Sequence, residues 1–553
     1  MTKTIKTLIG RIILDSNKFN IGEIVLIDFP YSNLKGSKYR PAVIIGVTDI
    51  QNDLIVAFVT SEIENYSWSE YAVKFSQAHL QSGTIKQESI IRCDKMITIS
   101  PQRISLRKVG TLKKTKTAEV LRKLSRISVN GVMETIHAKQ DFIPGKSRVN
   151  YAGRVFDEKE INNAVNASLD FWLTEGRFSE EFSEKIAEFI GVEHVLLTNS
   201  GSSANLLAFS ALTSEKLGDK RLRPGDEVVS VAAGFPATVT PIIQNGLVPV
   251  FVDVEIPTYN IDVEMMRKAI TLKTRCIFIA HTLGNPFNID AVMQLAKEHD
   301  LWVIEDNCDA FGSEYNGKKT GSFAHLSTIS FYPAHHITTG EGGAICTNDP
   351  QLAQLVRAFR DWGRDCYCAG GENNTCGKRF SQLFGNLPFG FDHKYVYSEI
   401  GYNLKMTDIQ AAIGVEQIEK LPYFCERRKA NFQEWERIFT KYHDYFILPK
   451  ATERADPAWF AFIVTLKETA PFKRDDLTGH LNAKLIETRN LFAGNITKQP
   501  GFMGKNWRIA DHLNNTDYIM NNTFFLGTYP GLTKDMFDYA EGVLDSFVQD
   551  FTN

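Results

Sequence analysis

Two regimes of apolar spacing divide this chain. Between Gly22 and Ser61, three short runs rich in β-branched residues (Gly22 to Pro30, Arg40 to Ile45 and Leu54 to Ser61) are interrupted by a polar loop from Ser32 to Tyr39. Runs of this length bounded by turn residues predict strands, and the scarcity of helical spacing around them predicts a small β-barrel. The period changes at Thr115 to Ile127, where Val120, Leu121, Leu124 and Ile127 recur at helical intervals and predict a closing helix. Ser128 to Lys146 mixes polar residues with Gly131, Pro144 and Gly145, which predicts a linker.

From Phe156 onward strand-like and helix-like stretches alternate, the pattern of an α/β fold with a mainly parallel, helix-covered sheet. An amphipathic helix is expected over Glu180 to Ile190, then a strand at Val195 to Leu197 that runs into Thr198 to Asn205 and the next helix. A later strand, Leu301 to Ile304, delivers Glu305 to Ala310 at its carboxyl end, where open α/β sheets bind ligands. No apolar run is long enough to span a bilayer. Leu8 to Leu14 is short and broken by Gly10 and Arg11, a poor signal peptide, so a cytoplasmic location is expected.

At 553 residues the chain exceeds one ordinary core, so two or three domains are expected. The net charge of -3 hides an asymmetry. Residues 1–128 hold 20 Lys and Arg against 11 Asp and Glu, and the remainder holds 42 against 54. A basic small domain thus precedes an acidic large one, and a basic balance suits RNA phosphates.

The Gly/Ser turn Gly201-Ser202-Ser203 between a strand and a helix can present N–H groups and hydroxyls to a phosphate. Eight cysteines include Cys308, Cys366, Cys368 and Cys376 in a Cys-x57-Cys-x-Cys-x7-Cys array. In a cytoplasmic protein, clustered cysteines point to metal ligands or catalytic thiols. Four thiolates can hold a [2Fe-2S] cluster, while the one-residue gap is unlike the usual zinc pairs.

Ser330 to Gly343 resembles the cofactor-lysine segment of the sugar aminotransferases that use pyridoxal phosphate, with His335 in the lysine slot. An imidazole forms no stable Schiff base, so the cofactor is expected to be held non-covalently as pyridoxamine phosphate, with His335 as the base at its C4′ carbon. The resemblance further implies Asp306 at the pyridine nitrogen, Phe235 stacked on the ring, and Ser330 with Gly201, Ser202 and Ser203 as cofactor contacts. Asn403 would reach the phosphate across a homodimer interface. Asp309 and Tyr332 depart from the family's usual residues and are expected to take part in altered chemistry. Together with the cysteine array and the stretches Asp361 to Cys368 and Leu491 to Asn495, these residues resemble the CDP-4-keto-6-deoxy-D-glucose 3-dehydrase family. That family is the RfbH type of 3,6-dideoxysugar biosynthesis, used for lipopolysaccharide O-antigen.

This resemblance implies C3 deoxygenation of CDP-6-deoxy-4-hexulose with a [2Fe-2S] cluster on Cys308, Cys366, Cys368 and Cys376. An NAD(P)H-dependent flavin and iron-sulfur reductase would supply the electrons, and Phe460 and Arg489 are candidate substrate contacts. An ordinary aminotransferase is the alternative. Residues 20 to 110 resemble the MazF/PemK toxin-type endoribonucleases, which implies an SH3-like barrel with Arg40 and Thr60 at RNA-cleaving positions and RNA or an antitoxin as partner. Tyr39 stands where some active members are acidic. The expected organisation is therefore a barrel at 1–128, a linker at 129–148, a large domain of PLP-dependent transferase fold type I (aspartate aminotransferase-like) at 149–435, and a small α/β domain at 436–553.

Overall fold

Alternate residues of the first strands point opposite ways, and in this chain both sides are covered. The structure is a computed structural model describing residues 19–30, 37–48, 53–101, 104–138, 140–368 and 371–552. Leu8 to Leu14 and most of the loop after Pro30 lie outside the described residues. The chain divides into two units, Met1–Lys139 and Gln140–Asn553.

In the first unit, β1 (Glu23–Pro30), β2 (Ser37–Val47), β3 (Leu54–Thr60), β4 (Ala72–Phe75), β5 (Leu80–Gly83), β6 (Ser89–Ile99) and β7 (Ile104–Leu112) form one antiparallel sheet in the order β4-β6-β3-β2-β1-β7-β5. Val25, Ile27, Ala42, Ile44, Val56 and Phe58 pack on one face. Ile24, Val43, Ala57 and Val59 pack on the other, beneath Val120 of helix α1 (Lys114–Thr135). The result is a curled, barrel-like sheet with a helix laid against it. That helix runs past Ile127 into the expected linker. Val129 is buried, Gly131 is tolerated inside the helix, and no proline intervenes before Pro144.

The second unit is built on an eight-stranded sheet. Its elements include α2 (Arg177–Ile190), β8 (His194–Thr198), α3 (Gly201–Leu212), β9 (Glu227–Val231), β10 (Val248–Val252), β11 (Thr274–Ala280), β12 (Trp302–Asp306), β13 (Leu326–Ser330), β14 (Gly343–Thr347), α4 (Asp408–Thr440), β15 (Ala461–Leu466), β16 (Arg508–Ile509) and β17 (Thr523–Gly527). The order is β16-β10-β9-β11-β12-β13-β14-β8, and only β14 runs against the rest. Val228, Phe278 and Ile304 pack on one face, while Val229, Ile277 and Val303 pack on the other. Burial of both faces explains the nearly continuous apolar strands.

The expected large/small boundary at 435 falls inside α4. Phe432, Trp435, Ile438 and Phe439 of that helix pack with Phe462, Val464 and Phe524 of β15 and β17. One continuous helix is thus shared by both cores. No described helix is long and apolar enough to cross a membrane.

Candidate active site

A cavity of about 930 Å³ opens at the carboxyl ends of β11, β12 and β13. At its floor is Asp306, the last residue of β12, 4% exposed. Thr238 Oγ1 donates to its Oδ2 at 2.7 Å, Asn205 Nδ2 at 3.1 Å, and the Cys308 backbone N–H donates to Oδ1 at 3.2 Å. Three donors to one buried carboxylate satisfy its oxygens and fix its direction. The N-terminus of α3 is capped by Ser200, whose Oγ accepts from Ser203 N–H at 3.1 Å. Gly201 is required by close approach, because a Cβ there would lie 2.5 Å from Ser330 Cβ.

His335 stands on the wall formed by the loop between β13 and β14. Its Nδ1 lies 3.5 Å from Asp309 Oδ1, and its ring centroid is 5.5 Å from that of Phe460. Burial, then the charge of Arg428, lowers the pKa of His335 to about 3. Burial, then the charge of Asp306, raises that of Asp309 to about 8. Both shifts favour uncharged groups, so a His⁺–Asp⁻ ion pair is not the resting state at neutral pH. Arg428 Nη2 donates to the His335 carbonyl at 2.9 Å.

Most residues singled out by sequence meet here. Gly201, Ser202, Phe235, Asp306, Cys308, Asp309, Ser330, Tyr332, His335, Phe460 and Arg489 all line the cavity. The Phe235 ring is 53% exposed and meets Phe492 edge-on at 5.6 Å. Arg489 lies over the Tyr151 ring at 4.1 Å. Of the expected cofactor contacts, two fall outside this lining. Ser203 has its N–H and hydroxyl engaged by Ser200, which is what an N-cap requires. Asn403 is exposed and its backbone bridges to Asp361. Sequence reasoning missed Asn205 and Thr238, the side-chain partners of Asp306. Asn205 stands one helical turn beyond Gly201, a spacing that could have marked it.

The four cysteines are not gathered. Among the described residues no three His, Cys, Asp or Glu side chains are placed to hold a metal ion. Cys308 is fixed at the end of the sheet, and burial, then the Asp306 charge, holds its thiol pKa well up. Cys366 and Cys368 interact with each other on a separate segment. Burial raises the pKa of Cys366; burial also acts to raise that of Cys368, but hydrogen bonds from Thr375 and Cys366 bring it down. Cys376 Sγ lies 3.8 Å from His393 Nδ1, and His393 Nε2 lies 2.9 Å from Asp365 Oδ1. Of the four expected cluster ligands, Cys308 thus lines the cavity and Cys366, Cys368 and Cys376 lie outside that lining.

In the first unit, Arg40 is exposed and Thr60 half-buried. The β2–β3 pairing ends at Ala42↔Phe58, with Arg40 paired to Ile27 of β1 and Thr60 to Ile90 of β6.

The DegT/DnrJ/EryC1/StrS aminotransferase family profile matches residues 156–544, and that of the PemK-like, MazF-like toxin of type II toxin-antitoxin systems matches residues 20–128. The chain is 53% identical over 432 residues to the lipopolysaccharide biosynthesis protein RfbH of Salmonella typhimurium, covering 78% of this chain and 99% of that protein. It is 48% identical over 417 residues to the dTDP-4-dehydro-2,6-dideoxy-D-glucose 3-dehydratase of Saccharopolyspora spinosa, covering 74% and 90%. A solved structure of the E. coli GDP-4-keto-6-deoxy-D-mannose-3-dehydratase with bound hydrated PLP superposes with a TM-score of 0.64 at 29% identity, over 72% of this chain and 100% of that one. The larger unit thus has the fold of the PLP-dependent aminotransferases, and the chain belongs to the DegT/DnrJ/EryC1/StrS aminotransferase family.

Proposed function

We propose that the larger unit is a pyridoxamine-phosphate-dependent 3-dehydratase of a nucleotide-linked 4-keto-6-deoxyhexose, acting in dideoxysugar formation for lipopolysaccharide, with the CDP-linked sugar as substrate. One observation carries the reading: His335, where the aminotransferases have lysine, lines the same cavity as Asp306. The resemblance to 3-dehydratases supports it.

The residues present fit the cofactor. Asp306 can pair with a protonated pyridine nitrogen, Phe235 can cover the ring, and Gly201 with Ser202 at the α3 N-terminus can receive phosphate. When bound, the cofactor supplies an amine for the sugar ketone and a ring that accepts electrons. His335 then removes a proton at C4′ as general base. Asp309, as a neutral acid, and the Tyr332 hydroxyl are the groups able to give a proton at the departing 3-hydroxyl. Phe460 walls off water, and Arg489 at the rim can meet the diphosphate. Asn403 would serve a neighbouring copy in a homodimer.

Sequence spacing alone supports a [2Fe-2S] cluster on Cys308, Cys366, Cys368 and Cys376 and a flavin and iron-sulfur reductase that feeds it. The thiols stand apart here, and no step is derived through them. For the first unit, the match to the PemK-like, MazF-like toxins supports a second, separate reading as an RNA-cleaving or RNA-binding module with an antitoxin partner.

The test is to incubate the pyridoxamine-phosphate-loaded protein with CDP-4-keto-6-deoxyglucose in water of heavy oxygen. Reversible dehydration puts heavy oxygen at C3, and His335→Asn abolishes it. An amino sugar formed with glutamate and pyridoxal phosphate, without exchange at C3, would instead establish the aminotransferase.

A further inference from the structure

Arg428 is only 1% exposed, and among the described residues it has no carboxylate within ion-pair distance. Burial brings its pKa down to about 10, which leaves it charged at neutral pH. A buried cation is unfavourable unless its donors are satisfied, so its retention calls for a reason beyond packing.

Its two terminal nitrogens go to backbone carbonyls, while Nε finds no partner among the described residues. Nη2 meets His335 O at 2.9 Å, and Nη1 meets Phe460 O at 3.1 Å and Trp459 O at 3.3 Å. Two chain segments remote in sequence are thereby joined at the point where the His335 and Phe460 rings face each other across 5.5 Å. Further along the same face of α4, Asn431 Nδ2 donates to Thr528 O and Tyr529 O, and Trp435 Nε1 donates to Gly527 O. The spacing of 428, 431 and 435 sets one row of donors along the helix. Beside it, the His336 ring bonds Ala458 O and ties the same two segments again. Arg428 is the charged member of this row and the one that touches the backbone of the base itself.

We infer that Arg428 is a positioning residue for His335, its planar fork locking the base-bearing loop to the Phe460 segment so that the imidazole is held at the reacting carbon. A lysine presents a point charge on a flexible stem and cannot span three carbonyls in one plane. Methionine keeps much of the length and removes the donors. Arg428 itself does not line the cavity, but it holds Phe460, which does, so cofactor affinity and sugar KM report whether the binding surfaces survive its replacement.

The inference rests on the proposed dehydratase reading, and one experiment separates their failures. Holoprotein loaded with C4′-deuterated pyridoxamine phosphate is mixed with CDP-4-keto-6-deoxyglucose, and loss of deuterium to solvent is timed, with cofactor affinity and sugar KM measured on the same samples. Arg428→Met is expected to slow deuterium loss about a hundredfold with affinity and KM unchanged within about threefold, because misplacement by an ångström costs that much. Arg428→Lys recovers part of the rate, about tenfold below the parent. A parent-like rate in Arg428→Met overturns the inference alone, as does a rate that falls only in step with lost cofactor affinity. No deuterium loss in the parent sinks the dehydratase reading and the inference with it. Where Arg428→Met yields no folded protein, Arg428→Lys decides, since a parent-like rate in it also overturns the assignment.

Discussion

The loop Ser330 to Gly343 and the segment Cys366 to Asp392 both carry candidate chemistry, and they are held in different ways. The loop is pinned between β13 and β14: Phe331 N–H donates to Gly342 O at 2.9 Å, Thr339 N–H to Phe331 O at 3.1 Å, and the Phe331 side chain is fully buried. The cysteine segment is anchored chiefly by polar contacts near the surface. Arg379 forks onto Asp392 at 2.7 Å on both arms, Lys394 reaches Glu372 O at 2.7 Å, and Asp365 pairs with Lys216 at 2.9 Å. Phe380 and Phe389 are 60% and 74% exposed. Apolar burial and satisfied backbone groups fix one geometry, whereas exposed ion pairs contribute little. The cavity is therefore built by the fold itself, and the cysteine segment takes its arrangement from local polar contacts.

Removing the base is expected to have the largest effect. His335→Asn keeps a polar side chain of similar reach but cannot accept the proton. Heavy-oxygen exchange at C3 is expected to fall about a thousandfold. Cofactor affinity should change little, since Asp306, Phe235 and the α3 terminus are untouched. Activity within about tenfold of the parent would show that the loop's fixed geometry serves another base.

The floor of the cavity comes next. Asp306→Ala strands the Thr238 hydroxyl and the Asn205 amide, both bonded to Asp306 in a buried site. A destabilisation of about 1–3 kcal/mol is expected in urea unfolding, along with loss of cofactor binding. Asp306→Asn restores a hydrogen-bonding partner and should recover most of the stability but little of the cofactor affinity, because a neutral amide cannot hold a protonated pyridine. Equal stability loss in both variants would show that charge, not hydrogen bonding, holds the floor.

Much of this division was legible in the sequence. Strand-to-helix turns and strand ends locate ligands in α/β folds by local pattern, which marked Gly201 and the end of β12, while the family resemblance marked His335 and the role of Asp306. The partners of those residues are tertiary. Nothing in the spacing of Arg428 or Thr238 ties them to His335 or Asp306, and the turn from Gly201 to Asn205 marks only a shared helix face, since each contact closes a long loop of chain. The domain boundary expected at 435 falls within a helix for a related reason. The row of apolar residues in α4 continues unchanged from the large core into the core shared with β15 and β17, so no break in pattern marked position 435. Ser203 was placed at the phosphate because a serine at a helix start serves equally as an anion contact or as a partner of the cap, and Ser200 claims it here.

The smallest expected effect on the fold, and the sharpest probe of the cysteine segment, is the pair Cys366→Ser and Cys368→Ser. Neither thiol lines the cavity or lies in an apolar core, so the double substitution should shift folding stability by less than about 1 kcal/mol. Cofactor affinity and heavy-oxygen exchange at C3 should stay near parental values, because both depend on residues of the cavity. If the four cysteines hold a [2Fe-2S] cluster, anaerobically reconstituted parent protein contains iron and acid-labile sulfide in equal amounts, and the double variant loses both together with the visible absorbance. Cys308→Ser separates the cavity thiol from the segment. The same loss of iron in Cys308→Ser would show that the segment closes onto the cavity when iron binds, which erases the contrast between the two regions. Iron lost only from the Cys366→Ser/Cys368→Ser protein would confine the metal to the segment and remove Cys308 from its ligand set.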